Sequence, residues 1–183
     1  KTIKSHRVSD GWARRQEVYF RTRFSLPIAS MKCDSTAIPH GTTIKKVAGT
    51  VRLTFQLDSE RQLTVLTALS GTGLAGAEKN LNAEATHYNF DIYRKETKKN
   101  WNKHLSRIDV IGGTHDHRVC FYTALYRTML APTLYCDADG LYRGADGKNH
   151  MAEGWQNYST FSLWGTFRTA HPLFTLTAAE RVG

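Results

Sequence analysis

Up to Ser70 the apolar residues of this chain recur at every second position; beyond Gly71 they recur at every third or fourth. A period of two puts alternate side chains on opposite faces of a strand, and a period near 3.6 lines one face of a helix. The two periods occupy separate blocks, strands first. That order predicts an α+β arrangement, with part of a β-sandwich or large antiparallel sheet followed by helices.

Within the first block, "EVYFRTRFSL" at 17–26 sets Val18, Phe20, Thr22, Phe24 and Leu26 on one face and Tyr19, Arg21, Arg23 and Ser25 on the other. "TVRLTFQL" at 50–57 and "QLTVLTALS" at 62–70 repeat the alternation, with Val51, Leu53, Phe55 and Leu57 inward in one and Leu63, Val65, Thr67 and Leu69 on one face of the other. "DSER" between them reads as a turn, so these two strands are expected to form an antiparallel hairpin. In the second block, helices are expected over 74–85, 93–108, 116–132 and from Ser159 or Thr160 onward. Thr114 or Asp116 caps the third, which ends ahead of Pro132. Pro172 is expected to kink or restart the fourth. The third and fourth are apolar around most of their circumference and read as buried. Two such helices suit a barrel or large bundle that they cannot complete by themselves, so the chain reads as incomplete.

The chain has 183 residues, 40% hydrophobic and 22% charged, which is globular composition. No apolar run approaches the roughly 18 residues of a membrane span. The first residues, Lys1-Thr2-Ile3-Lys4, form no signal peptide and no initiator Met is present, so the chain is expected to start after processing or inside something longer. The net charge of +9 is scattered. Only "YRKETKKNWNKH" at 93–104 clusters it, and no nucleic-acid motif accompanies that segment, which reads as a solvated helix face and argues against a nucleic-acid partner. Three cysteines without a CxxC pair argue against a disulfide scaffold or structural zinc site and read as small buried hydrophobes.

Four segments are candidates for chemistry. "DADGLYRGADG" at 137–147 has three carboxylates and three glycines, a composition that suits calcium, yet its spacing is not that of an EF-hand loop. Turns capped by Asp, with Gly at positive φ, account for it equally. Tyr142 and Arg143 within it are ligand-facing candidates. "THDH" at 114–117 reads as helix N-terminal punctuation rather than a metal pair. Trp164 beside Gly165 offers an aromatic face of the kind that packs against sugar rings, although core packing explains it too. The basic cluster is the fourth. No nucleophile elbow or phosphate-cradling loop occurs.

"VCFYTALYRTMLAPTLYCDADGLYRGADGKNH" followed by "YSTFSLWGTFRTAHPLFTL" resembles glycoside hydrolase family 92, the exo-acting α-mannosidases. "GWARRQEVYFRTRFS", "LTALSGTGLAGAEKNLNAE" and "WNKHLSRIDVIGG" extend the likeness over most of the chain in the same order. The resemblance implies the later part of an N-terminal β-sandwich over 1–92, a helical linker over 93–113 and the first helices of an (α/α)6 barrel over 114–183. It implies a calcium-dependent, inverting hydrolase of terminal α-linked mannose on glycans, usually exported to the periplasm or outside the cell. Inversion uses an acid and a base carboxylate about 6.5–9.5 Å apart; both are expected beyond Gly183, with the calcium ligands. The family motif reads Leu-Trp-Asp-Thr, its Trp-Asp pair lining the mannose pocket. Here Trp164 matches and Gly165 stands at the aspartate position. The alternative expectation is a non-catalytic carbohydrate-binding protein that kept the fold.

Overall fold

The computed structural model describes residues 1–183 except 12–14, 44–48, 58, 60, 161 and 183. The turn expected at 58–61 and the "WAR" of the first motif therefore fall partly outside the described residues. The chain divides into two compact units, one of residues 1–88 with 136–151, the other of 89–135 with 152–183.

In the first unit, β1 (Thr2–Ser9), β2 (Gln16–Phe24), β3 (Ile28–Cys33), β4 (Thr36–Ala37), β5 (Val51–Phe55) and β6 (Val65–Ser70) form two three-stranded antiparallel sheets, ordered β1-β2-β6 and β4-β3-β5. The three alternating segments are strands, but the expected hairpin does not form. β5 pairs with β3 (Met31 opposite Leu53), and β6 pairs with β2 (Phe20 opposite Leu69). The reason is that β1 and β3 also exist: "TIKSHRVS" and "IASMKC" alternate too weakly to be read as strands, yet each offers a full edge of backbone donors and acceptors. Phe24 of β2 meets Phe55 of β5 with ring centroids 4.9 Å apart, joining the apolar faces of the two sheets.

Helix α1 (Leu74–Glu84) lies on the other face of the first sheet, the one that bears Arg21 and Arg23. Arg21 donates to Glu78 at 3.2 Å and Arg23 to the Asn82 side chain at 2.6 Å, so these arginines clamp a helix instead of facing water. Ala77 and Leu81 supply the buried apolar contacts of α1. Conversely, Val65 (49% exposed) and Leu69 (60%) lie on the apolar side of that sheet, which Phe24 alone buries well. The hairpin β7 (Leu141–Arg143) and β8 (Asn149–Met151) completes this unit.

The second unit holds α2 (Phe90–Leu105), α3 (His115–Thr128), α4 (Leu163–Thr166) and α5 (Ala170–Thr177), then a 3-10 turn at Ala179–Arg181. The Asn89 carboxamide caps α2 by accepting from the Asp91 and Ile92 amides, and the Thr114 hydroxyl caps α3 by accepting from His117 N–H. "THDH" is therefore punctuation, as the spacing indicated. α3 is less buried than its composition implied: Leu125 alone is buried, and Val119, Phe121 and Tyr126 are exposed in part. The fourth helix starts later than expected. The Ser159 hydroxyl is already bonded to the Thr133 amide and hydroxyl, and Ser159 N–H donates to Thr133 O, so neither group is free to start a helix. The helical stretch then breaks at residues 167–169 and restarts at Ala170, placing Pro172 in a first turn where its missing N–H loses no bond. All three cysteines are unbonded; Cys120 is exposed and Cys33 and Cys136 half-buried, so they are not the buried hydrophobes expected.

Candidate functional site

The acidic loop of the first unit is built around Asp137, which is 5% exposed. Its carboxylate accepts from Ser70 Oγ at 2.9 Å, from Asn80 Nδ2 at 2.8 Å and from Thr72 Oγ1. The Asn80 carbonyl in turn accepts from Ala138 N–H at 2.7 Å. The site needs Gly76: a Cβ there would stand 2.5 Å from Ser70 Oγ and 2.7 Å from Thr72 Oγ1. Asp139 accepts from Lys79 Nζ at 2.6 Å, which holds its carboxyl below the usual carboxylate range. Asp146 receives the Lys148 amide and the His150 ring, and these lower its pKa in that order. Gly140 and Gly147 take φ of 87° and 75°, as turn glycines. Each carboxylate of this loop is thus occupied by protein partners, and the calcium reading does not fit it. Among the described residues, no group of three or more His, Cys, Asp and Glu side chains is gathered to hold a metal ion.

Tyr142 and Arg143, the two ligand-facing candidates, project from β7. Tyr142 lies against the His150 ring at 5.7 Å. Arg143 donates to Glu17 Oε2 of β2 at 3.0 Å. Glu17, with 9% of its side chain exposed, also accepts from Arg15 Nε and the Tyr19 hydroxyl, each at 2.8 Å. The Arg15 bond, then the Tyr19 bond, and the Arg143 charge with them hold Glu17 down at about 2. Arg143 is therefore committed to a partner far away in sequence, a link that no local motif announces.

Trp164 and Gly165 belong to the second unit, on α4. Trp164 is 90% exposed. No heavy atom outside the immediate chain lies within 4 Å of a Cβ built on Gly165. The position is open space, so neither close helix packing nor a positive φ requires glycine here. The same unit contains a cavity of about 820 Å³ bordered by Trp101, His104, Leu130, Tyr158, Phe174 and Arg181; of the four candidate segments, the basic cluster at 93–104 alone borders it. Burial, then the charges of Arg181 and Arg107, lower the pKa of His104. The Trp101 ring, within the basic cluster, packs edge-on against Tyr126 at 4.5 Å while also forming the cavity wall.

Two three-stranded antiparallel sheets in the first unit and helices in the second define an α+β chain. A family model described as "Glycosyl hydrolase family 92 catalytic domain" matches residues 76–183, more than half of the chain. The chain belongs to glycosyl hydrolase family 92. It is similar to the structure of the family GH92 α-mannosidase BT3965 from Bacteroides thetaiotaomicron, with 29% identity, a TM-score of 0.81, 95% of this chain covered and 25% of that one. The structure of that mannosidase with mannoimidazole gives 29% identity, a TM-score of 0.82, and 95% and 24% coverage. The inverting mannosidase BT2199 from Bacteroides thetaiotaomicron VPI-5482 gives 28%, 0.82, 95% and 24%. The chain thus spans about a quarter of the length of these structures. None of the curated proteins compared with it matches.

Proposed function

We propose that this chain is part of an exo-acting α-mannosidase that hydrolyses terminal α-linked mannose on glycans with inversion. Residues 1–92 belong to its sandwich domain, 93–113 to a linker and 114–183 to the start of its barrel. The reading is supported above all by the family match over 76–183, which contains the "LWGT" segment with the exposed Trp164. Trp164 supplies an apolar wall for the sugar ring. The acid, the base and the calcium ligands are expected beyond Gly183, as the family resemblance implies. The product is expected in the periplasm or outside the cell. The test is release of the aryl group from an aryl α-mannoside by the full-length protein, abolished by a calcium chelator; no release at any calcium concentration refutes it. The isolated 183 residues are expected to release none.

Gly165 favours a second reading. Without the aspartate, the pocket lacks a charged acceptor for sugar hydroxyls, and each lost bond of that kind removes about 1.5–3 kcal/mol. A glycan-binding protein without turnover is the outcome if mannose binds the full-length protein and the aryl mannoside is never cleaved.

A further inference from the structure

Helix α2 carries Arg94, Lys95, Lys98, Lys99 and Lys103 against only Asp91 and Glu96. At roughly 100° per residue, the five cations fall on one half of the helix circumference. Thr97, Asn100, Trp101 and His104, which border the cavity, fall on the other half. All five cations are exposed, and none has an ion-pair partner among the described residues. Arg94 with Lys98, Lys95 with Lys99, and Lys99 with Lys103 are like charges at i,i+4, a spacing that weakens a helix. Asp91, four residues before Lys95, and Glu96, three before Lys99, offset only part of that repulsion. An anionic chain laid along the helix would offset the rest. From Arg94 to Lys103 the row runs about 14 Å at 1.5 Å per residue, enough for several successive charges of an extended polymer.

We propose that this half of α2 docks an acidic polysaccharide, a chain of sugars bearing sulfate or carboxylate groups. The choice of a glycan rests on the reading of the protein as one that acts on glycans. The structure disfavours the other polyanions. Single-stranded nucleic acid is held by aromatic rings interleaved with charge, and here Tyr93 and Trp101 lie on the opposite half, Trp101 packed against Tyr126. A membrane-surface helix inserts the apolar face opposite its cations, and here that face borders the cavity of its own unit.

The test measures binding of the full-length protein to heparin at 50 and 200 mM NaCl, beside the triple variant Lys95→Gln/Lys98→Gln/Lys99→Gln. A control of equal charge, Lys4→Gln/Arg7→Gln/Lys32→Gln, removes exposed cations from the strands. Far-UV circular dichroism checks that all three share one fold. With about three phosphate-like contacts, parent affinity should fall roughly tenfold or more between the two salt concentrations. The α2 variant should lose at least tenfold at 50 mM, and the control less than twofold. Binding to hyaluronan but not dextran sulfate assigns the surface to carboxylates, and the reverse assigns it to sulfates; both support it. Equal losses in the two variants, no heparin binding, or tighter binding to duplex DNA or to phosphatidylserine vesicles overturns it. Cleavage of a neutral aryl α-mannoside by the full-length protein reads the mannosidase assignment separately, and the α2 substitutions should leave it unchanged.

Discussion

Replacing Gly165 by Asp in the full-length protein tests the role that the resemblance to the family motif implies for this position. The backbone accepts the change. No heavy atom outside the immediate chain stands within 4 Å of the new Cβ, and Gly165 has no left-handed φ to protect. Glycine is also a poorer helix residue than aspartate by a few tenths of a kcal/mol. Stability should therefore move by less than about 0.5 kcal/mol, a shift of a few degrees at most. The gain should appear in the sugar. A restored carboxylate accepting one hydroxyl contributes about 1.5–3 kcal/mol, or roughly 10- to 150-fold. If the bond forms equally in ground and transition states, KM falls by that factor; if it strengthens in the transition state, kcat rises. Steady-state kinetics with an aryl α-mannoside, with thermal melts of both proteins, decide it. An unchanged kcat/KM alongside an unchanged Tm would refute the assignment of Gly165 to the sugar pocket.

Trp164→Ala should leave Tm within about 0.5 kcal/mol of the parent, because the ring is almost fully exposed, while weakening mannoside affinity in an equilibrium binding assay. Asp137→Ala should destabilise the chain by about 3–5 kcal/mol, since it strands the Ser70, Thr72 and Asn80 donors in a buried site; urea unfolding reads this directly. Gly76→Ala should destabilise by about 1–3 kcal/mol despite alanine's better helix propensity, because its methyl overlaps Ser70 Oγ and Thr72 Oγ1; a gain in stability would show that the Asp137 site is loosely held. Glu17 has its folded pKa depressed to about 2 from 4.5, so its contribution is complete above pH 4.5 and is lost as pH falls from there towards 2. The difference in urea midpoint between parent and Glu17→Gln should shrink over that window, and a constant difference would contradict the Arg15, Tyr19 and Arg143 contacts.

Local periodicity made β2, β5 and β6 legible, because Val18 to Phe24 and Val51 to Phe55 alternate cleanly. Which strand pairs with which was not legible, since pairing depends on edges distant in sequence. β3 takes β5 through residues that carry no alternation of their own. The helix over 74–85 was legible, and the partners it gives Arg21 and Arg23 of β2 were not. Charged side chains read as solvent-facing until the helix that covers them is in place, and Glu78 and Asn82 sit far downstream. Helix starts at Asn89 and Thr114 were legible or nearly so, because capping is local. Ser159 failed as a cap for the opposite reason: its partner, Thr133, is 26 residues earlier.

The same contrast runs through the acidic loop, whose turns were legible and whose buried anchor was not. The loop at 137–147 has the composition of a cation site, but its leading carboxylate is bound by Ser70 and Asn80, which are 67 and 57 residues away. No window of sequence shows that a buried Asp has three donors waiting. The stem beneath the loop is equally non-local. Tyr135 N–H donates to Asn157 O and Ser159 N–H to Thr133 O, each at 2.8 Å, and Leu134 bridges Tyr158, so the chain leaves and returns side by side. A segment paired at its stem and anchored through Asp137 loses little further entropy when it orders its turns. Its glycines and aspartates are accounted for by folding: Gly140 and Gly147 make the turns, and each carboxylate accepts hydrogen bonds from the protein. Among the described residues Trp164 has no comparable partner: a ring left 90% exposed on a four-residue helix contributes little to the stability of this chain, and the sugar contact that the family resemblance implies for it is what the Trp164→Ala binding assay reads.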